Sequence, residues 1–166
     1  MREPLKIHTL SESREALILK SPAIKIEYPC DYEDLVESMA KTAAAFWPRC
    51  VGLAANQVWT GDADKIPSIF ILNMHEVEGI EGVSNDRPWM PFFNAFGVPS
   101  GPNIKLLEGC MSFPNRPPVL KKRKKNFALE FQSLDGKWNR LKFTGLLSRA
   151  VQHELDHLRG KLLWKT

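Results

Sequence analysis

Residues 146–159 read Leu-Leu-Ser-Arg-Ala-Val-Gln-His-Glu-Leu-Asp-His-Leu-Arg. Leu147, Ala150, Val151, Glu154, Leu155 and Leu158 recur at steps of three and four, the period of a helix with one packed face. Immediately upstream the period is two. Phe127, Leu129 and Phe131 alternate with Ala128, Glu130 and Gln132, Asp135-Gly136 is a turn signal, and Leu141 and Phe143 fall on a returning strand. The apolar, β-branched run Ser68–Asn73 predicts a buried strand. Residues Asp31–Trp47 predict a helix, with Asp31 as its cap and Pro48 as its stop. Residues 75–104 are rich in Gly, Pro, Asn and Asp, and predict a long irregular surface excursion broken by a strand near Met90–Phe96. A helix, then strands, then a terminal helix indicates an α+β fold, and with no repeat or low-complexity linker residues 1–166 are expected to form one domain.

The composition excludes several classes. With 43% hydrophobic and 25% charged residues, the chain has enough apolar surface to fold without staples. A formal charge of +4 gives a mild preference for anionic surfaces and does not identify a nucleic-acid binder, so no DNA partner is expected. No apolar stretch approaches the ~20 residues that cross a bilayer. Residues 1–20 lack the apolar core and small-residue cleavage site of a secretory signal, so the expected location is the cytoplasm and the default state a monomer. Three cysteines, Cys30, Cys50 and Cys110, are too few for a disulfide framework, leaving buried thiols or a metal ligand.

Residues 153–157, His-Glu-Leu-Asp-His, carry the chemistry. Helix positions four apart hold their Cβ atoms ~5–6 Å from each other, so His153 and His157 can converge on one ion. Glu154 can then reach water on that ion without ligating it, the physical content of an HExxH pattern. An exposed helix could carry this spacing by chance, but Val151, Leu155 and Leu158 predict a packed one. Burying two imidazoles and a carboxylate without partners would cost several kcal/mol. In common zinc peptidases the third ligand lies downstream. Residues 158–166 contain no His, Cys, Asp or Glu, and the extended pattern runs through Gly160 only to meet Leu163 where histidine is required. The third ligand must therefore lie upstream, where the cysteines, His8, His75 and many carboxylates are candidates. Cys110, in Glu108-Gly-Cys-Met-Ser112, stands out because Gly109 permits close backbone approach and thiolate binds borderline divalent ions well.

Taken together, Val51-Gly-Leu-Ala-Ala-Asn-Gln57, Glu108-Gly-Cys-Met-Ser112 and Gln152-His-Glu-Leu-Asp-His157 resemble, in order, the three signature motifs of the peptide deformylases, a likeness covering roughly residues 20–164. The resemblance implies a compact α+β domain with mixed or antiparallel sheets around a central motif-bearing helix. It implies metal ligation by Cys110, His153 and His157, Glu154 as general acid/base, and an oxyanion site built from Gln57 and the Met111 N–H. Val51, Gly52, Leu53, Glu108, Gly109 and Ala150 are then expected to bind substrate, with Gly52 letting the peptide pair as an added strand. The cofactor would be one divalent ion, Fe(II) in the cell, with Zn, Ni or Co able to substitute. The partners would be nascent peptides beginning with N-formyl-methionine. Hydroxide on the ion would attack the formyl carbon, Glu154 would pass the proton to the leaving amine, and formate would depart.

Three departures from the family pattern stand out. Cys50 replaces a glycine two residues before Gly52, and is expected to take a buried packing role rather than crowd the site. Arg149 occupies a position that is often apolar and near the methionine pocket. The C-terminal extension of many bacterial members is missing, as in some organellar and phage members. Asp156 is expected to support the site rather than ligate. The run Lys121–Lys125 is expected to be a solvated edge strand or turn, with weak ribosome docking as the other option. Two other functions compete: an HExxH peptidase or amidase, which a carboxylate third ligand would favour, and a non-catalytic RNA-docking module, which a closed four-ligand site would favour.

Overall fold

The computed structural model describes residues 3–11, 13–75 and 88–164. Three helices, α1 (Ser13–Lys20), α2 (Glu33–Ala44) and α3 (Gly145–Leu158), accompany five strands, β1 (Gly52–Ala54), β2 (Ile69–Asn73), β3 (Trp89–Glu108), β4 (Val119–Gln132) and β5 (Trp138–Thr144). The strands form one sheet in sequence order, each antiparallel to its neighbour. The α+β expectation holds, and the sheet is of the antiparallel kind.

β2 explains how the layers assemble. All five of its residues are buried, and its side chains alternate between two cores. Phe70 and Leu72 join Phe92, Phe127, Leu129, Phe131 and Phe143 under Val151, Leu155 and Leu158 of α3. Ile69 and Ile71 join Ile18 of α1, Met39 and Ala43 of α2, and Leu53 and Val58. The terminal helix is thus pressed onto the sheet by its apolar stripe. Its end is a Schellman cap: Gly160, at φ +68°, donates to the His157 carbonyl at 2.8 Å and Lys161 donates to that of Asp156 at 2.8 Å. A side chain at Gly160 would also strike the Lys20 carbonyl, so this glycine seats α3 against α1.

Three expectations need correction. The helix proposed over 31–47 begins at Glu33 and ends at Ala44; Asp31 lies in a preceding 3₁₀ turn (Pro29–Tyr32) and caps nothing. Residues 89–108 are not an irregular excursion but one 20-residue strand, while the 76–87 part of that expectation lies outside the described residues. The glycines and prolines survive in β3 because its pairing with β4 slips at Phe93/Phe96 and Ser100/Asn103, absorbing Pro102 and bending the strand. Asn94 takes φ +49° at the first slip, held by hydrogen bonds between its amide and both backbone groups of Ile26. Thirdly, α1 lies where no helix was expected. The hairpin at Asp135-Gly136 forms as read, with Gly136 at φ +79° and donating to the Ser133 carbonyl at 2.9 Å. No described helix is long and apolar enough to cross a membrane.

Candidate active site

Three elements meet at one cleft. α3 brings His153, Glu154 and His157, the turn after β3 brings Cys110, and β1 with the turn behind it brings Gly52 and Gln57. The Cys110 sulfur lies 3.2 Å from His157 Nε2, which lies 3.2 Å from His153 Nε2, and the three ligand atoms are all within 4.8 Å of one another. Two imidazole nitrogens sharing one tetrahedral ion at ~2.0–2.1 Å would stand ~3.4 Å apart, so the spacing suits a single ion. The donor chemistry agrees: one sulfur and two imidazoles suit a borderline divalent cation. Cys110, His153 and His157 could therefore hold it.

The surroundings of His153 are built to aim it. Its Nδ1 donates to Glu108 Oε1 at 2.5 Å, leaving Nε2 to face the cleft. Glu108 in turn accepts two hydrogen bonds from Arg123, Nε to Oε2 at 3.1 Å and a terminal nitrogen to Oε1 at 2.8 Å. The other terminal nitrogen of Arg123 reaches Asp156 at 2.6 Å. Asp156 thus supports the site without facing the ligand cluster. His157 is fixed differently: Asn56 Nδ2 donates to its backbone carbonyl at 2.5 Å, while its ring Nδ1 is buried without a partner among the described residues.

Two carboxylates here have opposite protonation behaviour. Burial alone would push Glu108 up, but its hydrogen bonds with His153 and Arg123 prevail and hold it at about 2. Glu154 is raised to about 7, chiefly by burial, with only nearby charges to offset it, and its Oε2 has no partner among the described residues. Burial lowers His153, yet its hydrogen bonds to Cys110 and Glu108 carry it to about 10 in the metal-free chain, so binding an ion must expel that proton. Burial keeps His157 neutral, well below the usual imidazole range.

A cavity of about 400 Å³ opens onto this cluster. Val51, Gly52, Gln57, Glu108, Gly109 and Met111 line it, and Ala150, Cys110, His153 and Glu154 complete that wall. A Cβ at Gly52 would stand 2.8 Å from Glu154 Oε1, so the absence of a side chain there is what admits the Glu154 carboxylate. The Gln57 Oε1 accepts from the Ala54 N–H at 2.9 Å, which turns its Nε2 toward Ser112 Oγ at 3.3 Å and Cys110 Sγ at 3.7 Å. Two predicted residues are not on the cavity wall: His157 sits behind it within the ligand cluster, and Leu53 is turned away. Leu53 points into the opposite core, because side chains alternate along β1 and Gly52 holds the cleft side.

Residues outside the motifs complete the picture. Cys50 is buried, donates its S–H toward the Gly52 carbonyl at 3.2 Å, and is pushed up to about 12 by burial, so it packs as an inert thiol. Arg123 was hidden in the run Lys121–Lys125. That run is strand rather than turn, and Gln152 ties its outer edge to α3 by hydrogen bonds to both backbone groups of Lys124. The parity of Arg123 with Phe127, Leu129 and Phe131 was the available signal that it points inward.

A sheet whose buried face carries a helix with two histidines and a glutamate, set against a cysteine, is the build of a metal-dependent hydrolase. The family model described as polypeptide deformylase matches residues 4–166. The peptide deformylase of Dictyoglomus thermophilum is 46% identical over 149 residues, covering 88% of this chain and 84% of the relative. The crystal structure of the Thermotoga maritima peptide deformylase superposes with a TM-score of 0.77 over 97% of this chain and 95% of that one, a likeness of fold at 23% identity. That of Ehrlichia chaffeensis peptide deformylase, in complex with actinonin, gives 0.77 at 29% identity over 96% and 86%. This chain belongs to the polypeptide deformylase family. It is an enzyme that removes the N-formyl group from peptides with the help of a divalent metal ion.

Proposed function

We propose that Glu154 is the proton carrier of this deformylation, and that Gln57 and the Met111 N–H stabilise the charge that builds on the formyl oxygen. The observation that carries the reading is Glu154, whose buried carboxyl is raised to about 7 at the wall of a cleft one residue from His153. A group with that pKa accepts a proton as readily as it returns one near neutral pH. Cys110, His153 and His157 would hold a divalent ion, whose positive charge would acidify a water and polarise the formyl oxygen. Glu154 takes a proton from the attacking water as the new C–O bond forms. Gln57 Nε2 and the Met111 N–H donate to the developing oxyanion, each worth ~3–4 kcal/mol of transition-state stabilisation. Glu154 then delivers its proton to the amine nitrogen as the C–N bond breaks, leaving formate and a free methionine amine.

Supporting residues give the substrate its direction. β1 pairs only with β2 among the described residues, so its other edge is open for an extended peptide to add as a strand beside Val51 and Gly52. Glu108, Gly109 and Ala150 line the same cavity. The substrate is a nascent peptide led by N-formyl-methionine, met in the cytoplasm by a monomeric enzyme. Likeness to the deformylase family points to Fe(II) as the cellular metal, with Ni, Co or Zn able to substitute on the same donors. Exposed lysines of the 121–125 run support a weak electrostatic approach to the ribosome.

Formate release from formyl-Met-Ala-Ser, with acetyl-Met-Ala-Ser as control, tests the reading under anaerobic Fe(II) or Ni(II) loading. Turnover of the formyl peptide alone is expected, and the Glu154→Gln enzyme should keep its metal while losing that turnover. Full activity in Glu154→Gln would remove the proposed role.

A further inference from the structure

Three arginines from three separate parts of the chain line the same cleft: Arg49 after α2, Arg116 in the turn following Cys110, and Arg149 on α3. Arg49 and Arg116 are exposed and Arg149 is half-buried. Their described contacts leave the charges unmatched. The Arg149 guanidinium donates to the Leu107 carbonyl at 3.4 Å, the Arg116 guanidinium lies 5.9 Å from the Phe113 ring centroid, and none of the three forms an ion pair among the described residues. The acidic residues on the cavity wall cannot neutralise them. Glu108 is taken up by Arg123 and His153, and Glu154 is 3% exposed.

Converging unpaired guanidiniums at one opening concentrate anions there, and their planar forks match carboxylates. Position fixes which carboxylates. Arg149 precedes His153 by four residues on α3, so the two side chains lie on one face ~5–6 Å apart at Cβ. An extended chain leaving the reacting end advances ~3.3 Å per residue, which carries the residues just after methionine past this rim. We propose, on the basis of the deformylation reading, that Arg49, Arg116 and Arg149 form a subsite that favours substrates with an acidic side chain at the second or third residue. A nascent chain has no free C-terminal carboxylate near its start, so side-chain carboxylates are the occupants.

The experiment compares formyl-Met-Asp-Asp-Gly, formyl-Met-Asn-Asn-Gly and formyl-Met-Lys-Lys-Gly, all C-terminally amidated so that only side chains differ in charge. At low ionic strength kcat/KM for the Asp peptide should exceed that of its Asn isostere by about tenfold, with the Lys peptide poorest, and the gap should close in high salt. The Asp-to-Asn ratio should fall toward one in Arg149→Leu and in the triple variant Arg49→Gln/Arg116→Gln/Arg149→Leu, and stay unchanged in Lys142→Gln on the far face of the sheet. Equal rates for Asp and Asn, a preference for Lys, a ratio that persists in the triple variant, or one that collapses in Lys142→Gln would each overturn the subsite. If no peptide releases formate, the deformylation reading fails, and calorimetry of the Ni(II)-loaded protein with Met-Asp-Asp-Gly-amide and Met-Asn-Asn-Gly-amide decides the rim by itself. Tighter binding of the Asp peptide sustains it, and equal binding overturns it.

Discussion

Glu108 and Glu154 are both buried carboxylates within reach of His153, yet one is held at about 2 and the other raised to about 7. The difference lies in what faces them. The wall behind His153 surrounds Glu108 with donors from Arg123 and His153, so its charge is fixed and serves only to aim an imidazole. Burial beside Gly52 is what raises Glu154, whose Oε2 has no hydrogen-bond partner among the described residues, so its proton is exchangeable near neutrality. Two residues of one chemical type are thereby assigned opposite duties by their surroundings.

The largest effect should come from destroying the exchangeable proton. Glu154→Gln is expected to lower kcat/KM by ~10²–10⁴-fold while metal content, read by elemental analysis, stays at the wild-type level. Next in size is the fixed charge. Arg123→Met leaves the buried Glu108 and the half-buried Asp156 without their cation, which should cost ~3–5 kcal/mol in urea unfolding of the metal-free protein. It should also weaken metal affinity ~10–100-fold, because Glu108, which orients His153, is no longer held by the guanidinium. If Arg123→Met were as benign as a surface change, the contrast between the two carboxylates would lose its cause.

Acid unfolding sharpens the same comparison. Glu108 titrates at about 2 when folded against about 4.5 when unfolded, so it contributes roughly 3 kcal/mol of stability above pH 4.5. That contribution declines as the pH falls from 4.5 toward 2, and Glu108→Gln should flatten the decline in a pH series of unfolding curves. The smallest effect is expected one residue from the second largest: Lys122→Gln, on the exposed face of β4, should change stability by less than about 0.5 kcal/mol.

That neighbouring pair also shows what could be read from the sequence. The helix bearing His153, Glu154 and His157 was legible because its apolar period and its ligand spacing coincide, and the lack of any donor after His157 sent the third ligand upstream, where Cys110 stood out beside Gly109. Arg123 was not, because a run of five cations reads as a solvated surface until strand parity with Phe127 is imposed on it. β3 was illegible for another reason. Gly97, Pro99, Gly101 and Pro102 carry strong local signals for turns, and only long-range pairing with β4, bulged at two places, overrides them. Leu53 was misplaced by the motif itself: a signature records which residues recur together, whereas strand alternation decides which of them face the cleft.

The convergence of one sulfur and two imidazoles on a single cation underlies every role assigned here, and the absorption spectrum of the Co(II)-substituted protein tests it directly. One Co(II) per chain should give a sulfur-to-metal charge-transfer band together with the intense visible bands of a tetrahedral site, and Cys110→Ser should abolish the first. A fully loaded wild-type protein without that band, or a band that survives in Cys110→Ser, would contradict the account.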